Sequence, residues 1–192
     1  MKLDTSASIW QGQRVRLRAL EPLDWETYWA WNEEDTEQAR NLYFIPFPGS
    51  QERQKRWAER EALREQEGHN WRFVIENKAG EAVGDISTHN CDPRVGHLHY
   101  GVNVAKKHRR QGYASEAILL VLRYYFEELR YQKATITLYS FNEATIALHD
   151  RLDFQHEGRI RRAVFTRGQY FDELLVGITT EEFAEKHART LS

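Results

Sequence analysis

The sequence predicts an α/β fold of the α+β kind: a mixed, mostly antiparallel, twisted sheet of six to seven strands with helices on both faces. Three observations carry this. Several short segments alternate apolar and polar residues, and most fall in adjacent pairs joined by turn signals. Residues 113–129 repeat their apolar positions at the helical period. That helix separates strands at 97–104 and 133–141, the layout of a parallel crossover at the centre of a sheet.

The elements follow in order. From Arg14 to Leu20, Val15, Leu17 and Ala19 alternate with Arg14, Arg16 and Arg18, as in an edge strand. Pro22 ends it, and Asp24 is placed to cap a helix carrying Trp25, Tyr28 and Trp29. The acidic run Glu33, Glu34, Asp35 and Glu37 reads as a solvated face or as an attractor for a cationic ligand. Pro46, Pro48 and Gly49 mark a loop, after which Ser50 opens a polar helix to Glu67 that Gly68 stops. Trp71–Glu76 and Glu81–Thr88 form a hairpin about Asn77–Gly80, and Asp92, Pro93 and Arg94 a further turn. In the strand His97–Val104, Leu98, Tyr100, Val102 and Val104 share one face, while His97, His99, Gly101 and Asn103 share the other. A polar face of this kind meets solvent or a cleft. The long helix follows, with Ala114, Ala117, Ile118, Val121, Leu122, Tyr125 and Leu129 on its apolar side. Lys133–Phe141 is a strand, and Asn142 caps a short helix to Leu152. Strands Phe154–Thr166 and Gln169–Thr179 flank a turn at Arg167-Gly168, and a tail helix spans Glu181–Ala188.

Composition narrows the function classes. The 192 residues show no internal repeat or low-complexity linker, so residues 1–192 are expected to form a single domain. Six Trp, nine Tyr and nine Phe supply large core side chains. A net charge of −2 gives no global attraction to nucleic acid or anionic lipid. Cys91 is the only cysteine, which excludes an intrachain disulfide and a multi-thiolate metal site. There is no apolar run of membrane-spanning length, and the opening MKLDTSASIW has no signal-like segment. The expected location is the cytoplasm.

One turn carries chemistry. Lys106-Lys107-His108-Arg109-Arg110-Gln111-Gly112-Tyr113-Ala114 joins the polar-faced strand to the long helix, and its last six residues fit R-x-x-G-x-A. Free amides at a helix start point outward and the helix dipole favours an anion there. Gly112 lets the backbone approach a ligand without a Cβ in the way. Such a turn suits a diphosphate, although a basic surface loop before an ordinary helix would read the same. Neither a Walker A motif nor G-x-G-x-x-G occurs. Nucleic-acid binding through Lys106–Arg110 would lack an aromatic platform beside the loop.

A second element, Asn142-Glu143-Ala144-Thr145-Ile146-Ala147-Leu148-His149-Asp150-Arg151-Leu152-Asp153-Phe154, follows one helix and one strand later. Together, in this order and spacing, the two resemble motifs A and B of the GNAT superfamily. The opening Arg14–Leu20 and the closing Gly168-Gln169-Tyr170-Phe171-Asp172-Glu173 resemble the branch of ribosomal-protein N-terminal acetyltransferases (RimJ/RimL) and spermidine acetyltransferases (SpeG). The resemblance covers about residues 13–183. It implies a GNAT fold whose central strands splay to admit acetyl-CoA as co-substrate. Arg109, Arg110, Gln111, Gly112, Tyr113 and Ala114 would bind the coenzyme, the amides from Arg110 to Ala114 holding its pyrophosphate. Backbone groups of Val102 and Val104 would pair with the pantetheine arm, and the Asn142 side chain would bond it as well as capping its helix. Two residues depart from the family pattern. Asp153 replaces the usual Gly of a Leu-Gly-Phe ending, and His149 replaces a Tyr held to protonate the departing sulfur.

The implied reaction moves an acetyl group to a primary amine by direct attack in a ternary complex. Deprotonating an amine of pKa about 10.4 at pH 7 costs roughly 4.6 kcal/mol, so the base matters. Releasing a thiolate of pKa near 8.5 costs only about 2 kcal/mol. His99, where relatives carry a Glu, is the candidate base, and His149 as an imidazolium the candidate acid. His97 and His99 point the same way, but spacing offers no third metal ligand, so no metal is expected. Tyr139 and Tyr170 are candidates for the cleft wall; the cluster Arg159, Arg161, Arg162 and Arg167 reads as surface. The expected partner is a peptide N-terminal amine, a polyamine or another small amine. Homodimers or larger homo-oligomers stay open. The alternative is a non-catalytic acyl-CoA-binding regulatory module with a degenerate site.

Overall fold

The computed structural model describes residues 8–42 and 45–187. The first seven residues of the amino-terminal stretch, and Ala188 at the expected end of the tail helix, lie outside them. The strands are β1 (Val15–Arg18), β2 (Arg72–Asn77), β3 (Ala82–Asp92), β4 (His97–Val104), β5 (Lys133–Tyr139), β6 (Gln155–Thr166) and β7 (Gln169–Thr179). The helices are α1 (Trp25–Glu34), α2 (Thr36–Leu42), α3 (Gln51–Ala62), α4 (Tyr113–Arg123), α5 (Glu143–Arg151) and α6 (Thr180–Lys186). The strands form one sheet in the order β1-β2-β3-β4-β5-β7-β6, antiparallel at every junction except β4–β5.

Alternation along the strands sorts side chains into two layers. Phe73 and Ile75 of β2, Leu98 and Tyr100 of β4, and Ile136 and Leu138 of β5 join the main core, together with Ala117, Ile118, Leu120 and Val121 of α4. Each fully buried Leu, Ile or Val there contributes about 1.5–3 kcal/mol. Val74, between Phe73 and Ile75, faces the opposite side and packs with Tyr28, Trp31 and Ala58 of α1 and α3. The sheet is therefore covered on both faces. His97, His99, Gly101 and Asn103 lie on the α1/α3 face.

Local signals fix several ends. Ser50 Oγ accepts from the Arg53 amide at 3.1 Å. Asn142 Oδ1 accepts from the Thr145 amide at 3.3 Å. Thr179 and Glu182 cap α6 reciprocally, at 3.3 and 2.8 Å. Arg167 and Gly168 are both left-handed, with φ of 50° and 75°, as a two-residue hairpin turn requires.

Three expectations are corrected. The polar helix from Ser50 ends at Ala62 rather than Glu67. The acidic run does not simply follow α1: Glu33 ends up exposed within it, Asp35 is buried between the two helices, and Glu37 is exposed in a further short helix, α2. Asp24 does not cap α1. It lies inside a 3-10 turn (Pro22–Asp24), where its carboxylate accepts from the Glu21 amide at 2.8 Å and from Arg18 at 2.8 Å.

Candidate active site

β4 and β5 pair only at His97↔Lys133 and Leu98↔Ala134. Beyond these residues β4 stays on β3 as far as Val104, while β5 stays on β7 as far as Tyr139. A gap therefore opens between them. The Ala105 amide donates to the Val83 carbonyl at 2.9 Å, which fixes the phase of the antiparallel ladder. Asn103, Gly101 and His99 turn their backbone groups to β3; Tyr100, Val102 and Val104 turn theirs into the gap. The Tyr100 amide is the first one past the last paired residues.

At the end of β4 the chain makes a 3-10 turn (Lys106–His108) and then bends into α4. Arg110 and Gly112 are left-handed, with φ of 62° and 83°, and Gln111 between them is not. Alternation of this kind aims successive amides at one point and forms an anion-binding concavity. It opens at the amino end of α4, where the dipole adds to the attraction. A cleft of about 460 Å³ adjoins it, lined by Arg14, Arg110, Gly112, Ser115 and Arg151 among others. Arg14 and Arg151, from β1's approach and the end of α5, thus add two cations that the motif alone did not reveal.

Arg109 does not share in this. Its Nε donates to the Val104 carbonyl at 3.0 Å, and its Nη2 lies 2.5 Å from Asp35 Oδ2 and 3.5 Å from Gln38 Oε1. Its amide contacts the Lys106 carbonyl at 3.4 Å. The side chain expected at the coenzyme phosphates is turned towards α2 instead. Tyr113 Oη donates to Gln111 Oε1 at 3.0 Å, along the turn.

His99 is half-buried on the α1/α3 face beside the gap. Its ring centroid is 4.8 Å from that of His97 and 5.9 Å from that of His89. Burial first, and then the neighbouring imidazoles His97 and His89, push its pKa below the ordinary value. His97 Nε2 lies 2.8 Å from Thr135 Oγ1, bridging β4 and β5 at the vertex of the gap.

His149 lies on the opposite side of β4 and is 1% exposed. Its Nδ1 is 2.8 Å from the Thr145 carbonyl, which accepts only, so Nδ1 carries the proton. Nε2 then accepts from Tyr100 Oη at 3.0 Å. Burial pushes the pKa down against the opposing pull of the Thr145 carbonyl and the Asp150 carboxylate. The expected imidazolium is thus replaced by a neutral ring with both nitrogens engaged.

Two members of the acidic run are paired with cations. Asp35, 6% exposed at its side chain, pairs with Arg109, and Glu37 pairs with Arg167 of the β6–β7 turn. Glu33 is exposed, and the Glu34 side chain lies outside the described residues. Of the arginine cluster, Arg159 pairs with Asp172 at 2.5 Å, Arg162 lies 4.6 Å over the Tyr170 ring, and Arg167 lies 5.6 Å over Phe141. Tyr139 stacks on Phe141 at 5.5 Å, past the end of β5, whereas Tyr170 is mostly exposed at the hairpin tip.

A family model described as Acetyltransferase (GNAT) domain matches residues 14–155. The SPbeta prophage-derived uncharacterized N-acetyltransferase YokL of Bacillus subtilis (strain 168) is 36% identical over 182 residues, covering 95% of this chain and 99% of that protein. The spermidine N(1)-acetyltransferase of Escherichia coli (strain K12) is 25% identical over 120 residues, 60% of this chain and 62% of its own. Among solved structures, spermidine N-acetyltransferase from Vibrio cholerae in complex with CoA and spermine has a TM-score of 0.75 at 20% identity, covering 88% of this chain and 97% of that one. That likeness is one of fold. The matched span runs from β1 to the start of β6 and takes in both the anion-binding turn and the gap beside it; the chain belongs to the GNAT N-acetyltransferase family.

Proposed function

We propose that the protein transfers the acetyl group of acetyl-CoA to a primary amine by direct attack in a ternary complex. The observation that carries this is the junction of the β4–β5 gap with the left-handed turn at Arg110–Gly112. The turn offers amides to the pyrophosphate, and the Arg14/Arg151 cleft offers cations to the phosphorylated adenosine end. The pantetheine arm lies in the gap against the backbone of Val102 and Val104, and the NH₂ group of Asn142, whose oxygen caps α5, donates to it. The Tyr100 amide supplies a donor to the thioester carbonyl oxygen as charge develops there.

In the reaction the amine nitrogen attacks the thioester carbon, the C–S bond breaks, and the electron pair leaves on sulfur. The amine proton passes to neutral His99, directly or through water. His149 is a positioning group that holds Tyr100, and the thiolate leaves without a side-chain acid, a cost of about 2 kcal/mol. The acceptor is a peptide N-terminal amine, a polyamine or another small amine. Because Asp35 and Glu37 are already paired, recruitment of a polyamine by the acidic run rests on exposed Glu33.

A second reading, a non-catalytic acyl-CoA-binding module, is favoured by one observation: neutral, buried His149 presents no acid to the sulfur. Thiol release from acetyl-CoA across polyamines, N-terminal peptides and aminoglycosides separates the two. Turnover on at least one amine supports transfer. Acetyl-CoA binding without turnover on any of them supports the module.

A further inference from the structure

The gap between β4 and β5 is bridged at its mouth by a short helix whose two ends are tied to opposite sides. On the β4 side, Arg109 holds the Val104 carbonyl at 3.0 Å and reaches Asp35 at 2.5 Å. Asp35 immediately precedes α2, and its other oxygen accepts from the Gln38 amide at 3.2 Å. On the β5 side, Arg40 of α2 donates to Thr166 Oγ1 at 2.9 Å, and Glu37 pairs with Arg167. Arg167 in turn lies over Phe141, two residues past the end of β5. A continuous series of bonds therefore runs from the coenzyme turn through α2 to the hairpin tip. The Asp35 side chain is 6% exposed and that of Arg109 39%, so the contact anchors a half-exposed cation on a buried carboxylate.

We propose that Asp35 is a positioning residue that couples the coenzyme turn to the acceptor wall, with α2 as a strap across the mouth of the gap. The proposal rests on the acetyl-CoA reading above. When a diphosphate orders the Arg110–Gly112 turn, Arg109 is fixed, Asp35 with it, and the order passes along α2 to the β6–β7 tip. Asp35 and Glu37 thus serve as a brace between two sites rather than as bait for a cationic acceptor.

Hydrogen–deuterium exchange of the full chain with and without CoA tests this. In the wild type, CoA is expected to slow exchange about fivefold or more in three places: the turn at 109–114, α2, and the hairpin tip at 165–170. Asp35→Asn keeps an oxygen for the Gln38 amide, so the start of α2 is preserved while the charge is lost. In that variant the slowing should be confined to the turn. In the double variant Thr166→Val, Arg167→Gln it should reach the turn and α2 but not the tip. CoA-linked slowing of α2 in Asp35→Asn, or of the tip in the double variant, would overturn the coupling. A wild-type turn that CoA leaves unprotected would sink the coenzyme assignment itself. A protected turn with unresponsive α2 and tip would sink the strap alone.

Discussion

The carboxylate of Glu116 fills the space that Gly12 leaves open: a Cβ on Gly12 would lie 2.6 Å from Glu116 Cδ. Glu116 is fully buried in the first turn of α4 and accepts from three successive amides, Gln13 at 3.0 Å, Arg14 at 2.6 Å and Val15 at 2.8 Å. It thereby pins the start of β1, and with it Arg14, against the helix whose amino end forms the anion-binding turn. Pinned at three points, it cannot swing away to admit a new atom.

Glu116→Ala is expected to lower stability by about 2–4 kcal/mol, since one buried and two part-buried donors lose a charged acceptor. Glu116→Gln keeps one oxygen and should recover part of that. Gly12→Ala should cost about 1–3 kcal/mol through overpacking. In urea denaturation, the double variant Gly12→Ala, Glu116→Ala should lose less than the sum, because the carboxylate that opposes the added methyl is gone. Strict additivity would contradict the packing described.

The neutral state of His149 makes stability depend on pH. Its folded pKa lies below the unfolded value of about 6.5, so between the two the unfolded chain binds more protons. Its stabilising contribution is complete above about pH 6.5 and is lost as pH falls through that range. His149→Gln should flatten the fall in Tm between pH 7 and pH 5 relative to wild type, whatever it costs at pH 7. An unchanged slope would show that His149 titrates alike in both states.

His99 as base makes a kinetic prediction of the same sign. Because its pKa is depressed, kcat/KM should rise with pH along a limb centred below about 6.5. His99→Ala should reduce kcat/KM by about a hundredfold or more and abolish that limb. His97→Gln keeps a partner for Thr135 while removing one like-charged neighbour, so the limb should move upward. A pH profile unaltered by His99→Ala would remove His99 from the mechanism.

The two-sided core, the hairpins and the crossover were legible because periodicity reports burial directly, as in Leu98 and Tyr100 against His97 and His99. The Gly112 turn was legible as a turn because glycine suits a left-handed helix start, and φ there is 83°; alone it did not separate a coenzyme site from an ordinary basic loop. What escaped were contacts between residues far apart in sequence. Nothing in the residues around Asp35 announces Arg109, 74 positions away, and without that partner an acidic stretch reads as solvated. Glu116 sits in the first turn of a helix, where a Glu is ordinarily a surface choice, and only its 0% exposure reveals its role. At position 149 the sequence showed a titratable ring but not its depth, and depth decides its charge. The helix from Ser50 was overextended because Leu63–Glu67 has good helix formers, yet no sheet surface lies under them.

The central claim, that main-chain amides around Gly112 hold the pyrophosphate of acetyl-CoA, is tested most directly by calorimetric titration of acetyl-CoA into wild type and Gly112→Trp. Gly112 is left-handed and its missing Cβ faces the Arg14 side chain at 3.4 Å, so an indole there would fill the concavity. The account predicts an affinity at least roughly a hundredfold weaker, the loss of two or more charge-assisted hydrogen bonds, with the circular dichroism spectrum retained. Equal affinity in the two proteins would contradict it.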